Sequence, residues 1–295
     1  MKRLLYVIIG ILSLSANAQD RALLIGISNY QEETGWSKIH SHNDIALLQQ
    51  VLPNTCKITT LCDSEATYQG IINAIEQLIK EIHPGEQILF HFSGHGQQML
   101  TNDPNEPDLL DEALIPYDAP MIRTSTYGGE RHLIDNQLDS LVTLLRTKSG
   151  VKGLVVVSID ACHSGGTHRE PRSNDLENEE KHARCAKNPF DIFGLNTISS
   201  DSAKTIFLHL AETEQPILSN SNNTADIVYL SACQPYQVSY EVKENGFFYG
   251  PLTYAISRAY SSYTLSSIKN WISTIKEYYK QKRIDQKPYI INTLN

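Results

Sequence analysis

Basic residues are under-represented in this 295-residue chain: 25 Lys plus Arg face 33 Asp plus Glu, a formal charge of −8, and they form no block. That argues against a nucleic-acid or anionic-membrane binder, which needs a positive patch. Cysteine is also scarce; five are too few for a small disulfide scaffold, and the odd count leaves one thiol unpaired within a monomer. Twelve prolines and sixteen glycines exclude a fibrous or disordered chain. Past the first turns of sequence no apolar run is long enough to span a bilayer. What remains is the composition of a globular protein, 41% hydrophobic with a mean hydropathy of −0.30. It is long enough for one large α/β domain or two small ones.

The amino terminus reads as an export signal. Lys2 and Arg3 precede an apolar stretch from Leu4 to Leu14, and Ala16-Asn17-Ala18 has the small-x-small form of a cleavage site. Cleavage after Ala18 removes two basic residues and takes the formal charge from −8 to −10. The expectation is an exported protein, periplasmic or secreted, with no stable membrane insertion and no nucleic-acid partner.

Beyond Gln19, strand and helix signals alternate. Strands are expected at Arg21–Ser28, Cys56–Cys62, Gln87–Phe92, Ala113–Tyr117, Leu154–Ile159 and Ile227–Ala232. Helices are expected from a cap at Asn43 or Asp44 to Val51, from Ser64 to Ile82, and over Asp135–Arg146, Pro251–Tyr260 and Leu265–Lys280. This order predicts a mostly parallel sheet covered on both faces, with reactive groups in loops beyond the strand carboxyl ends. Two such loops stand out. Ser93-Gly94-His95-Gly96 follows the third strand, and Asp160-Ala161-Cys162-His163-Ser164-Gly165-Gly166 follows the strand at Leu154. From His168 to about Lys187 the chain is charged and poor in large apolar residues, the composition of a mobile loop.

A cysteine nucleophile needs a histidine to take its proton and N–H donors for the developing oxyanion. Cys162 and His95 occupy suitable strand ends, and Gly96 offers an N–H without side-chain hindrance. Alone, such a cysteine would read as a small core hydrophobe; the partner at a second strand end changes that reading. His91 and His95 have metal-ligand spacing, to which Cys162 and His163 could add, but a zinc pair four apart belongs on a helix face and this segment is strand and glycine turn. Neither a G-x-S-x-G elbow nor a phosphate-binding G-x-x-x-x-G-K-[ST] loop is present.

With these residues in view, the chain resembles the caspase-like cysteine peptidases (family C14), and most closely their metacaspase branch. The matching pieces, in family order, are Ala22–Tyr30, Phe92–Gly96, Asp111–Asp118, Asp160–Gly165, Ser231–Cys233 and Gly246–Phe248. The resemblance implies a three-layer α/β/α caspase-hemoglobinase-like fold around a mostly parallel six-stranded sheet. Past the export signal (1–18), it makes 19–295 a peptidase domain: a large catalytic segment to 167, an intersegment region over 168–225 and a small segment over 226–295. It implies a thiol endopeptidase with His95 as general base, Cys162 as nucleophile, and the Gly96 and Cys162 N–H groups as oxyanion donors.

Asp160 stands where caspases that cleave after Asp carry Gln. The family's basic-residue pocket maps to Asp44, Ser93 and Asp160, and two carboxylates at a cleft floor suit Arg or Lys and repel Asp. The bland alternatives are a helix cap for Asp44 and a turn residue for Asp160. The expected substrates are therefore peptides or proteins with Arg or Lys before the scissile bond, handled by a monomer. No cofactor is required for the chemistry. The resemblance also implies calcium as an activator, with Asp111 and Asp135 at two ligand positions, although Asn136 replaces the family's frequent second acid and the acidic stretch Asp103–Glu112 could equally be a solvated loop. Self-cleavage is expected between His168 and Lys187, with Lys181, Arg184 and Lys187 better placed than Arg169 and Arg172 to bend back to Cys162. The rival reading is a catalytically silent caspase-like scaffold.

Overall fold

The computed structural model describes residues 19–101, 110–162, 182–185, 192–194, 223–234, 237–261 and 264–294. The export signal at 1–18 and the candidate cut sites Lys181 and Lys187 lie outside these residues.

One six-stranded sheet organises the domain. Strands β1 (Arg21–Gly26), β2 (Lys57–Cys62), β3 (Gln87–Ser93), β7 (Leu154–Asp160) and β8 (Asp226–Ser231) run parallel, and β11 (Tyr289–Asn292) closes one edge antiparallel to β8. Their spatial order is β11-β8-β7-β3-β1-β2. Burial of β1, β3 and β7 on both faces accounts for their unbroken apolar runs, and alternate side chains feed two cores. On one face Leu23, Ile25, Phe90 and Val157 pack with Ile71 and Ile75 of α2 (Tyr68–Glu81) and Leu138 and Val142 of α3 (Asp135–Ser149). On the other, Leu24, Leu89 and Val156 meet Leu48 of α1 (Ser41–Val51), Ile256 of α4 (Pro251–Tyr260) and Trp271 of α5 (Ile268–Gln281). These are the three expected layers.

Several boundaries differ from the sequence reading for identifiable reasons. Helix α1 begins at Ser41, because neither Asn43 nor Asp44 caps it: the Asn43 amide donates to the Phe248 carbonyl at 2.9 Å, and Asp44 turns inward. Helix α2 starts later than Ser64, since Thr67 accepts from the Gly70 N–H and Asp63–Glu65 forms a separate 3-10 turn. The short strand expected at Ala113–Tyr117 is Leu110–Leu114 (β5), paired with β4 (Gly96–Leu100) in a small three-stranded sheet completed by β6 (Leu133–Ile134). A hairpin of β9 (Val242–Glu244) and β10 (Phe247–Tyr249) precedes α4. No described helix is long and apolar enough to cross a membrane.

Candidate active site

Parallel pairing of β3 and β7 sets Ser93 opposite Asp160, so the chain leaves both strands at the same sheet end. His95 and Cys162 each lie two residues farther on. Glycine at 96 is a steric requirement: a Cβ there would fall 2.1 Å from the Cys162 carbonyl oxygen. The His95 ring stacks on Trp36, with centroids 5.0 Å apart, and tilts against Tyr30. Its backbone N–H donates to the Tyr30 hydroxyl at 2.7 Å. Its Nε2 lies 2.9 Å from the Ser37 carbonyl, which fixes the proton on that nitrogen. Nδ1 is then the free base, and it makes no hydrogen bond among the described residues. Burial holds the imidazole down to about pH 4, so the ring is neutral at neutral pH. Cys162, fully buried, donates its thiol to the Gln237 carbonyl at 3.1 Å and clusters with Cys185 and Cys233. All five cysteines are free thiols.

The cleft is filled by the chain itself. His182–Cys185 lies across it as an extra strand: the Arg184 N–H donates to the Ser239 carbonyl and the Glu241 N–H to the His182 carbonyl, each at 2.9 Å. Ala183 bridges Tyr240 antiparallel, and Cys185 bridges Gly96. The Arg184 carbonyl accepts from both predicted oxyanion donors, the N–H groups of Gly96 and Cys162, each at 3.2 Å. The same carbonyl lies against the His95 ring and favours its protonated form.

The Arg184 side chain enters the acidic pocket and is completely buried. Its Nη2 is 2.7 Å from Asp44 and 3.0 Å from Glu241. Its Nη1 donates to Ser93 Oγ at 2.7 Å and to the Asp160 carbonyl at 3.0 Å, with the Asp160 carboxylate 3.8 Å away. The acids are themselves held in place. Asp44 accepts from Ser93 Oγ and from the Gly250 N–H, and Asp160 accepts from the N–H and hydroxyl of Thr253 at 2.6 and 2.7 Å. Gly250 must be glycine, because a Cβ would strike the Asp160 carboxylate at 2.1 Å. Burial raises Asp44 to about 6 and raises Asp160 as well, against the pull of the guanidinium. For Glu241 burial is outweighed by Arg184 and His40, and its carboxyl is lowered.

Asp44, Ser93, Asp160, His95, Gly96 and Cys162, named from sequence, therefore converge on one cleft, and Arg184 lies inside it. Three participants had no sequence signal. Glu241 is one of 33 acids in an irregular segment, while the Ser37 and Gln237 carbonyls are backbone groups common to every residue. Asp111 and Asp135 sit apart from this cleft, brought to one end of the small sheet by the pairing of Ala113 with Ile134. Among the described residues neither joins a cluster of three or more His, Cys, Asp or Glu donors.

A family model described as caspase domain, Peptidase_C14, matches residues 19–295. Metacaspase-1 of Schizosaccharomyces pombe is 28% identical over 64% of this chain and 45% of its own length. Metacaspase-1 of Coccidioides immitis is 23% identical over 96% of the chain and 60% of its own length. Metacaspase-1B of Aspergillus terreus is 25% identical over 92% and 74%. The chain thus spans about half to three quarters of these relatives. A crystal structure of a Geobacter sulfurreducens protein superposes with a TM-score of 0.62 at 22% identity, covering 92% of this chain and 93% of the other, a likeness of fold.

Proposed function

The chain belongs to the caspase-domain family, Peptidase_C14, and on that premise we propose that it is a cysteine endopeptidase that cleaves after Arg or Lys and first cuts itself between Arg184 and Cys185. One observation carries the reading: Arg184 occupies the cleft as a substrate residue would, with its guanidinium on three acids and its carbonyl on two converging N–H donors.

The chemistry follows from that pose. Loss of the Cys162 proton to His95 Nδ1 yields a thiolate, which attacks the Arg184 carbonyl carbon. Negative charge gathers on an oxygen already facing Gly96 and Cys162. Their contacts of 3.2 Å suit a carbonyl and would tighten to about 2.7–3.1 Å on the oxyanion. Returning its proton to the Cys185 nitrogen, His95 releases the new amino terminus, and water then hydrolyses the thioester. Neutral His95, fixed by Ser37 in the tautomer with a free Nδ1, is the form that can act as base. Ground-state specificity comes from the pocket: an Asp side chain there would face three carboxylates, whereas Lys or Arg neutralises one charge. Export is the accompanying proposal, supported by the pattern from Lys2 to Ala18.

The test pairs peptides that differ only in the residue before the scissile bond. Arg and Lys peptides should be hydrolysed, the Asp peptide left intact, and an arginyl chloromethyl ketone should alkylate Cys162. A folded, fully processed protein that hydrolyses none of them and takes up no label would be a scaffold instead.

A further inference from the structure

Next to the pocket, the docked segment brings a second group of ligands together. His40 comes from the residue before α1, Glu241 from the wall that pairs with the docked segment, and His182 from the segment itself. One ring nitrogen from each histidine and a carboxylate oxygen all lie within 4.8 Å of one another. The His40 Nδ1 is 2.6 Å from Glu241 Oε2, and the Glu241 side chain is fully buried. The His40 and His182 rings meet edge to face at 4.9 Å, and Phe248 packs against both at 5.0 Å. Two histidines and one carboxylate are a donor set for tetrahedral zinc with water as fourth ligand. Metal–ligand bonds of about 2.0–2.2 Å set neighbouring donors about 3.3–3.5 Å apart. Insertion must spread the His40–Glu241 pair by under about 1 Å and draw His182 inward by a little more. The His40 side chain is about one third exposed (32%), which leaves it room to turn and gives water access to the ion.

We propose that the docked chain binds one zinc-class dication through His40, His182 and Glu241, and that the ion pins the segment in the cleft. The site rests on the proposed docking of the segment as a self-substrate, and deepens it. Local charge favours a cation: Asp44, Asp160 and Glu241 surround a single guanidinium. Glu241 can serve both, since Oε1 takes Arg184 and the His40 N–H while Oε2 faces the His40 ring. His182 arrives only with the segment, so the complete site exists only while the segment is seated. Linkage makes this reciprocal: whatever factor seating adds to zinc affinity, zinc adds to seating. After the Arg184–Cys185 bond is cut, His182 stays on the tail that ends in Arg184, so bound zinc also retains that tail and delays access by other substrates.

The experiment uses the untagged, uncut chain carrying Cys162→Ala, titrated calorimetrically with buffered Zn²⁺, and with Co²⁺ as a spectroscopic probe. One zinc per chain is expected, with the visible absorption of tetrahedral nitrogen–oxygen coordination. Adding His182→Ala should weaken binding at least tenfold without unfolding the sheet, since residue 182 belongs to the docked segment. His83→Ala, at the opposite end of β3 and exposed, should leave binding unchanged. Absence of binding, equal affinity in the His182→Ala chain, or cobalt–thiolate bands that place the ion on Cys185 and Cys233, would each overturn the site. Failure of the self-substrate reading is separate: it appears as a wild-type chain that never exposes Cys185 as an amino terminus, whatever zinc does.

Discussion

Replacing Arg184 tests the self-substrate pose most directly. The guanidinium makes four buried contacts of 2.7–3.0 Å, to Asp44, Ser93, the Asp160 carbonyl and Glu241. Removing one partner of a buried charge pair costs about 3–5 kcal/mol. Here the loss is confined to docking, because the segment can leave and let water reach the three acids. At about 1.4 kcal/mol per decade, Arg184→Ala should slow cutting at the bond after residue 184 by about 10²–10³·⁵-fold. Arg184→Lys keeps the charge but loses the planar fork that reaches several acceptors at once, and should cut about tenfold more slowly. Because the bond already lies in its own cleft, wild-type cutting should be first order and independent of protein concentration.

Intact-mass measurement over time, at two protein concentrations, reads all three chains. Wild type should yield a fragment beginning at Cys185. Arg184→Ala should remain joined there, yet hydrolyse an added Arg peptide without the lag that wild type shows while its cleft empties. Two results would refute the pose: cutting of the Arg184→Ala chain at the same bond within tenfold of wild type, or a wild-type rate that rises in proportion to concentration.

Cys162→Ala and His95→Ala should each abolish self-cutting and peptide hydrolysis with circular dichroism unchanged; hydrolysis surviving in purified Cys162→Ala would end the thiol mechanism. Glu241→Gln should lower kcat/KM on Arg peptides by about 10–10²-fold, chiefly through KM, because the pocket holds the side chain alike in ground and transition states; steady-state kinetics showing a fall in kcat alone would contradict this. Asp44→Ala should cost about 10²-fold or more in the same assay. Acid should destabilise the protein from pH ~6.5 downward. Burial holds His91, His95 and His132 at about 3, 4 and 3, so below pH ~6.5 the unfolded chain takes up protons that the folded chain refuses. At pH ~4.5 each of the three costs about 2–3 kcal/mol, and the raised Asp44 and Asp160 carboxyls offset part of the loss. A urea midpoint that holds steady from pH 7 to 4.5 would show that these histidines are not buried neutral.

Which parts of this were legible in sequence follows from where the information sits. The parallel sheet was legible because strands buried on both faces must be apolar throughout, as at Leu154–Ile159. The meeting of His95 and Cys162 at one sheet end was legible because reactive side chains among glycines at strand ends have little structural purpose. Helix starts were misplaced for an instructive reason: Asp44 is a good cap by type, but the pocket claims its carboxylate. β4, β6, β9, β10 and β11 escaped because two- to five-residue strands are held by pairing partners distant in sequence rather than by their own pattern.

Arg184 shows where sequence reading stops. From composition it was one of five basic residues in a polar stretch, equivalent to Lys181 and Lys187. Its place depends on register: the segment pairs with Ser239–Glu241 so that one residue in two turns toward the acids. A slip by one would aim Ala183 or Cys185 at the pocket and bury three carboxylates without a cation. The pocket's charge therefore fixes the register, and the register sets the Arg184 carbonyl on the Gly96 and Cys162 N–H groups. On the proposed reading, affinity for the side chain and alignment of the bond are one property of this cleft, and any arginine or lysine entering extended against Ser239–Glu241 would inherit both.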